Sequence, residues 1–130
     1  MGQTRPVTVV LDAGALIALE RGDERMRAVC REALRTRARL VVPAGVLGQV
    51  WRGGSRQAVL GALLSGATTS VPPLDRPLAQ ASGVLCARAG TSDVVDASVV
   101  LVARRERAVV ITSDPDDLRA LDPAMPLERI

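Results

Sequence analysis

The sequence VVLDAGALIAL, residues 9–19, changes at Asp12 from a β-branched apolar run to a helical pattern. Val7 to Leu11 is almost continuously apolar, which is typical of a strand that is covered on both faces in a parallel sheet. Ala13 to Glu20 follows as a short helix. Asp12 is therefore predicted at the junction of a buried strand and a helix, where open α/β sheets collect their ligands.

The same order of apolar run and helical repeat recurs along the chain. Further strands are predicted at Leu40 to Val42, at Ser70 and Val71, and at Ala108 to Thr112. Helices are predicted around Met26 to Leu34, Gly45 to Trp51, Ser55 to Leu64, Leu78 to Ala89, Asp93 to Arg107 and Asp114 to Ala120. This alternation predicts an α/β fold, a small parallel sheet flanked by helices on both faces. A length of 130 residues, of which 48% are hydrophobic, predicts one domain over residues 1–130.

The composition excludes several kinds of chemistry. The chain has no His, which removes Ser-His-Asp and Cys-His catalysis and every zinc site that uses His. All 17 basic residues are Arg, so lysine catalysis and lysine phosphate clamps are also excluded. Trp51 is the single aromatic residue, and one ring makes no stacking platform for bases. Any chemistry must therefore depend on carboxylates.

Cysteine usage and hydropathy predict a protein of the reducing cytoplasm. Cys30 and Cys86 form no C-x-x-C pair, so they indicate neither a metal knuckle nor a disulfide framework. Arg5 and Pro6 precede the first apolar run, which ends at Asp12. This run is too short and too charged to be the hydrophobic region of a signal peptide. The longest uncharged stretch, residues 57–74, contains prolines, serines and threonines, which argues against a membrane helix.

Four aspartates are predicted to meet at one edge of the sheet. Asp12 and Asp114 each follow a predicted strand, and Asp93 and Asp96 are three residues apart at the start of a helix. They converge if the strands that precede them are neighbours. Each acid has a second interpretation as a helix cap or first-turn acid, which stabilises by roughly 0.5 to 2 kcal/mol at a cap.

A cation is the natural partner of such a cluster. Two carboxylates at roughly 5 Å repel each other by about 3 kcal/mol at an effective dielectric constant near 20. Oxygen ligands without His or Cys select hard ions, so we expect Mg²⁺ or Mn²⁺. Such an ion activates water and stabilises in-line displacement at phosphorus, which favours phosphodiester hydrolysis as the reaction.

Three segments together carry a resemblance to a known family. VVLDAGALIAL around Asp12, DVVDASVVLVA around Asp96 and VVITSDPDDL around Asp114 resemble the PIN-domain ribonucleases, and most closely the VapC toxins of type II toxin–antitoxin systems. The resemblance implies that these three aspartates are the catalytic, metal-binding acids. It places Asp93 and Asp117 beside them as further candidate metal ligands.

The resemblance also implies a biochemical setting. We expect an Mg²⁺- or Mn²⁺-dependent endoribonuclease that acts on structured RNA such as tRNA or rRNA. We also expect a homodimer and a cognate VapB-like antitoxin whose tail covers the site. Ser98 and Thr112 match polar positions near the family's site and are predicted to position water or metal ligands.

The chain departs from the family at one position. VPAGVLGQVWRGG, residues 42–54, carries Gln49 where the family commonly has Glu. Three interpretations stay open. Asp93 or Asp117 supplies the missing charge, Gln49 acts through a metal-bound water, or the protein is a weak or inactive PIN-fold binding module.

Two arginines are candidate contacts to RNA. Arg52 and Arg56 flank the predicted end of a helix and are interpreted as phosphate ligands, the alternative being two simply exposed arginines. A receiver domain or a dehalogenase-like phosphatase also gathers acids around Mg²⁺. Both normally need a Lys, which this chain lacks, and the phosphatase needs Asp-x-Asp where the sequence has Asp12-Ala13-Gly14.

Overall fold

The apolar runs of the sequence lie side by side as a parallel sheet of five short strands. The structure, a computed structural model, describes residues 7–130. The strands are β1 Thr8–Leu11, β2 Arg39–Val41, β3 Thr69–Ser70, β4 Val109–Thr112 and β5 Leu127–Arg129. Their order in the sheet is β3-β2-β1-β4-β5, and every neighbouring pair is parallel. The predicted parallel α/β fold is confirmed.

Seven α-helices connect and cover these strands in the described part of the chain. They are α1 Ala13–Glu20, α2 Glu24–Thr36, α3 Ala44–Val50, α4 Ala58–Leu64, α5 Arg76–Ala89, α6 Val94–Glu106 and α7 Pro115–Leu121. A 3₁₀ turn, Ser55–Gln57, precedes α4 where the sequence predicts one continuous helix. The remaining predicted helices lie where the sequence places them, with ends that differ by a few residues.

The centre of the core is β1. Val10 and Leu11 point to opposite faces of the strand and neither is exposed, so both faces of the sheet are covered there. The helices that contact both β1 and β4 are α1 and α6. In α6 the residues from Ala97 to Val100 are all buried, since α5 packs along the other side of this helix. This burial explains why the sequence of α6 is so rich in valine.

The fifth strand has no counterpart in the sequence prediction. Leu127–Arg129 is short, and Glu128 and Arg129 are exposed, so no apolar alternation marks it. Its position follows from pairing with β4, where Ile111 lies opposite Glu128. The pairing ends with a hydrogen bond from the Ile130 amide to the Thr112 carbonyl at 3.0 Å. Tertiary pairing at the sheet edge, rather than local preference, creates this strand.

Within residues 7–130, no helix has both the length and the hydropathy needed to cross a membrane. Arg5 and Pro6, which entered the prediction about a signal peptide, lie outside the described residues.

Two helices end on an arginine in the left-handed region, which glycine adopts at lower cost. Arg107 follows α6 with φ of 52°, and Arg37 follows α2 with φ of 56°. We predict that Arg107→Gly raises the free energy of unfolding by about 0.5 to 1 kcal/mol, because it removes the steric cost of the left-handed conformation. Urea denaturation followed by circular dichroism measures the change.

Arg105→Gly is the matched control, because the same substitution inside α6 removes a good helix former. It should lower the free energy of unfolding by about 1 kcal/mol. Equal effects of the two substitutions would contradict the left-handed assignment of Arg107.

Candidate functional site

Asp12 and Asp114 follow two neighbouring strands. In the sheet β1 pairs with β4, with Leu11 opposite Ile111, and the Asp12 amide donates to the Ile111 carbonyl at 3.4 Å. Both acids therefore leave the carboxyl edge of the sheet from adjacent strands. The condition on which the sequence prediction depended, that these strands are neighbours, is met.

Asp12 is the buried member of the cluster. Only 7% of the residue is exposed, and its Oδ1 accepts a hydrogen bond from the Ala15 amide at 2.9 Å, so it caps α1. Burial raises the pKa of Asp12 above its usual value, against hydrogen bonds from the Thr112 side chain and the Ala15 amide that lower it. The charge of Asp114 raises this pKa further. Capping and membership of the cluster are thus two roles of the same carboxylate.

Thr112 and Ser98 are both buried, but only one of them contacts the acids. Thr112 Oγ1 accepts from the Asp114 amide at 2.9 Å, and the same side chain hydrogen-bonds Asp12. It therefore links the ends of β1 and β4. Ser98 donates instead to the Val95 carbonyl at 2.6 Å, within its own helix. The structure places Thr112 in the site and gives Ser98 a local bond in α6.

Asp93 and Asp96 form a pair at the start of α6. The Asp96 amide donates to Asp93 Oδ1 at 2.9 Å, so Asp93 is the N-cap. Burial is the largest cause that raises the pKa of Asp96 to about 7, followed by the charge of Asp93 and a hydrogen bond between the two side chains. The charges of Asp117 and Asp12 add to this rise. The pKa of Asp96 is therefore affected by the charges of Asp12, after β1, and of Asp117, in α7.

Asp114 and Asp117 form a second pair at the start of α7. Asp114 lies at the N-cap position, but its side chain makes no capping hydrogen bond. A side-chain hydrogen bond with Asp114 is the first cause that raises the pKa of Asp117, followed by the charge of Asp114. The charge of Asp93 also acts on Asp117. We call Asp12, Asp93, Asp96, Asp114 and Asp117 the acid cluster, because their charges act on one another across four elements.

The donor set of the acid cluster fits a hard cation. Its oxygen donors are carboxylates only. Burial is the largest cause that raises the pKa of Asp12 and Asp96, and repulsion between the carboxylates, which a cation would relieve, adds to it. As they are arranged, no three acid, His or Cys side chains within residues 7–130 could hold a metal ion together. Mg²⁺ commonly uses one or two carboxylates and keeps several waters. The cluster therefore suits a partly hydrated ion rather than an all-protein cage.

Gln49 is exposed on α3, on the side of that helix that approaches α6. It follows Gly45 by four residues, and a methyl group at Gly45 would lie 3.3 Å from Cγ2 of Val95. Val95 immediately precedes Asp96. The structure thus puts Gln49 on the α6 side of α3, without a hydrogen bond from its side chain to any described residue.

The two predicted RNA contacts differ in their surroundings. The guanidinium of Arg52 donates to the Trp51 carbonyl at 2.7 Å and to the Gly48 carbonyl at 3.3 Å, so it closes the end of α3. Arg56 is exposed in the 3₁₀ turn. Of these two arginines, Arg56 is the less constrained candidate for a phosphate.

Sequence reasoning missed two features beside the predicted residues. Gln57 is buried and accepts from the Arg52 amide at 2.7 Å and the Gly53 amide at 2.9 Å, so it shapes the loop after α3. Gly14 lies against Ser113, because a methyl group at Gly14 would overlap Ser113 Oγ. Only the glycine two residues after Asp12 could have signalled this close approach of α1 to the turn after β4.

Comparison with known proteins places this geometry in one family. A family model described as PIN domain matches residues 9–122. No curated protein sequence matches the chain. Solved structures resemble the fold over nearly the whole chain, as the next three cases show.

The first is from the crystal structure of VapBC2 of Rickettsia felis bound to a DNA fragment from its promoter, with a TM-score of 0.73 and 13% identity over 95% of this chain and 99% of that chain. The second is VapC20 of Mycobacterium tuberculosis, described as a sarcin-ricin loop cleaving toxin, with a TM-score of 0.70 and 18% identity over 94% and 99%. The third is from VapBC-5 of Mycobacterium tuberculosis, with a TM-score of 0.55 and 27% identity over 96% and 98%.

The raised pKa of Asp96, about 7 against an ordinary 3.8, predicts how stability depends on pH without divalent cations. Between these values the native state holds a proton that the unfolded chain has released, so stability falls as pH rises through this window. We expect a lower melting temperature at about pH 8 than at about pH 5.5 in EDTA. Asp96→Asn should remove much of that difference. Differential scanning calorimetry at both pH values measures it.

Asp75→Asn is the matched control, because Asp75 caps α5 through the Leu78 amide and Asn caps equally well. It should keep the pH response of the unsubstituted protein. The interpretation fails if Asp96→Asn loses as much stability between the two pH values as Asp75→Asn does.

Proposed function

This chain belongs to the PIN domain family, and from that membership and the acid cluster we propose that it is a metal-dependent endoribonuclease toxin of the VapC type. The observation that carries the proposal is the mutual action of five carboxylates from β1, α6, β4 and α7 at one edge of the sheet. Capping alone does not require that the N-cap acids of α1, α6 and α7 lie near one another.

Asp12, Asp96 and Asp114 are proposed as the catalytic acids that hold Mg²⁺ or Mn²⁺, with Asp93 and Asp117 beside them. Such an ion supplies an activated water and stabilises the charge that develops on the phosphate. The chain's own contribution is orientation. Thr112 and the Ala15 amide hold the Asp12 carboxylate, and Asp93 holds the first turn of α6. The side chain of Asp114 makes no capping bond and contacts Asp117 instead, so both carboxylates face the proposed ion together.

RNA is the proposed substrate, with tRNA and rRNA as the candidate targets. The chain carries a net charge of +3, while five of its acids are confined to the acid cluster. The rest of the surface is therefore more basic than the net charge alone indicates, which favours a phosphate backbone. Arg56 is proposed as a phosphate contact, and Arg52 as a second one that also closes α3.

A VapB-like antitoxin is the proposed protein partner. An apolar groove of about 560 Å³ lies between α2, α4 and the start of β3, and its lining includes Leu34, Val59 and Leu63. Leu34 is 82% exposed and Val59 is 53% exposed, which is unusual for large apolar residues that share one groove. The groove fits the apolar face of a helix. The homodimer and the cytoplasmic location stay predictions from the resemblance.

A PIN-fold binding module without catalysis is the second candidate function. Gln49 in place of an acid favours it, together with the lack of a ready three-ligand group among residues 7–130. Removal of one negative charge weakens the attraction for a divalent ion. The two candidates differ in whether the cluster binds the ion and cleaves RNA.

Substitution of the cluster acids tests the enzyme directly. We predict that Asp12→Asn, Asp96→Asn and Asp114→Asn each lower the rate of RNA cleavage by about 100-fold or more, because each removes a charge that holds the ion. Cleavage of total cellular RNA with Mn²⁺ or Mg²⁺, with the new 5′ ends mapped by sequencing, measures the loss. Asp75→Asn is the control that changes an equivalent cap at α5 and should leave the rate unchanged.

Gln49→Glu separates the two candidate functions. If the protein is an enzyme, the original protein should already cleave RNA. Calorimetry should then show that the added carboxylate tightens Mn²⁺ binding. If the original protein cleaves no better than Asp96→Asn and Gln49→Glu gains activity, the binding module is the better description. Equal cleavage by all of these variants would reject hydrolysis at the acid cluster.

The apolar groove predicts a variant that escapes its inhibitor. Leu34→Asp should weaken the complex with the antitoxin that neutralises the protein by about tenfold or more, because the charge would be buried in an apolar interface. RNA cleavage by the free protein should not change, since Leu34 lies on α2 and this helix carries none of the acids of the cluster. Inhibition curves with Leu34→Asp and with the exposed control Ala81→Asp on α5 measure the effect. A matching loss in both variants would count against the groove.

A further inference from the structure

A second surface feature lies along α1, next to the turn that precedes Asp114. A depression of about 480 Å³ lies along α1, from Gly14 and Ser113 at one end to Arg21 and Gly22 at the other. Ile17 and Ala18 lie between these ends. Gly14, Ile17, Ala18 and Arg21 follow helical spacing, so one face of α1 supplies this side of the depression.

The first end of the depression is lined by neighbours of the acid cluster and by none of its five acids. Ser113 lies between Thr112 and Asp114 in the turn after β4. A methyl group at Gly14 would lie 3.5 Å from Oδ1 of Asp12 and would overlap Ser113 Oγ. A strand bound at the carboxylates would therefore pass Ser113 to reach the depression.

Two arginines lie at the other end of the depression. Arg21 is exposed and forms no ion pair with any residue in the range 7–130. The guanidinium of Arg27 reaches across Gly22, where a Cβ would lie 3.1 Å from its Nη2. Its pair with Glu24 at 3.4 Å is between two exposed side chains and so is weak. Two guanidinium groups thus stand beside one short turn.

Asp23 also lines this end, so its charge belongs in the account. Its Oδ1 accepts from the Met26 amide at 2.9 Å and caps α2. The negative charge is thereby directed at the start of a helix, whose dipole partly offsets it. Glu24, the partner of Arg27, is the second acid at this turn, so the two arginines and the two acids balance in charge. Arg21 is the guanidinium that keeps no ion pair with any residue between 7 and 130.

From this geometry we propose that Arg21 and Arg27 bind a backbone phosphate of the RNA strand whose scissile phosphate lies at the acid cluster. The inference rests on the proposed function, since it takes RNA as the substrate. Arginine is suited to this role because its fork binds phosphate oxygens in pairs. The subsite would position the strand and would read no base.

The length of the depression agrees with a strand of nucleic acid. Gly14 and Arg21 are seven residues apart on α1, which is about 10 Å at 1.5 Å per residue. A helical strand advances about 3.4 Å per nucleotide, so the contacted phosphate lies about three nucleotides or fewer from the cleaved bond. Every nucleotide carries a phosphate, so a strand that follows α1 must present one near Arg21.

The test compares RNA binding and cleavage by matched arginine variants. The probe is a fluorescein-labelled, single-stranded 12-nucleotide RNA, a length of about four times the proposed spacing. Arg21→Gln, Arg27→Gln and the double variant are compared with Arg76→Gln, which removes the same charge at the start of α5. Arg76 begins α5, whereas the last residue of α5, Ala89, is the one near Asp93. The two ends of this helix are about 20 Å apart. Melting temperatures of all variants confirm that each is folded.

We expect the double variant to raise KM for cleavage about fivefold to tenfold with kcat unchanged, because the lost contact only positions the strand. In EDTA, where cleavage stops, the slope of log K against log salt should fall by about 0.7 for each arginine. Arg76→Gln should change neither quantity. Arg21→Lys with Arg27→Lys should restore the salt slope, since the charges are kept.

Three results would overturn the proposal. The subsite is wrong, and the proposed nuclease stands, if the original protein cleaves the RNA and the double variant matches Arg76→Gln in KM and salt slope. Both are wrong if the original protein neither binds the 12-nucleotide RNA nor cleaves total cellular RNA. The surface contacts an acidic protein segment instead if the double variant loses antitoxin inhibition but keeps its KM for RNA.

Discussion

The pairing of β1 with β4 is the constraint on which the site depends. These strands are separated by about a hundred residues of chain, yet Leu11 lies opposite Ile111 and the Asp12 amide reaches the Ile111 carbonyl. A shift of this register would turn the side chains of β4 to the other face of the sheet and would move Asp114 away from Asp12. Apolar burial on both faces of β1 holds the register, because Val10 and Leu11 are fully enclosed.

Burial of like charges at the same edge works against this packing. Burial raises the pKa of Asp96 to about 7, and the neighbouring carboxylates add to that rise. Part of the cost is offset by helix starts, since Asp12 accepts from Ala15 and Asp93 accepts from the Asp96 amide. The caps explain how the fold tolerates the cluster without an ion. They do not explain why the acids of β1, α6 and α7 were brought together, which is the reason for proposing a metal site.

Capping and ligation were alternatives at the sequence level, and the geometry makes them compatible. The prediction was most accurate where a property is local: the apolar runs, the helical repeats and the acids that begin α6 and α7. It was least accurate at Leu127–Arg129, which is a strand only because β4 lies beside it. The sequence did not indicate that the guanidinium of Arg52, a predicted phosphate contact, also bonds the carbonyls at the end of α3.

By itself the sequence determined which chemistry was possible. Without His or Lys, and with aspartates at strand ends and helix starts, only carboxylate chemistry with a hard cation was left. Tertiary structure decided which acids share one edge, that Thr112 bridges two of them while Ser98 bonds within α6, and that α1 leads from the cluster to Arg21. The reason is physical. Periodicity and caps depend on neighbours within a few residues, whereas these contacts join segments that only the packing of the whole sheet brings together.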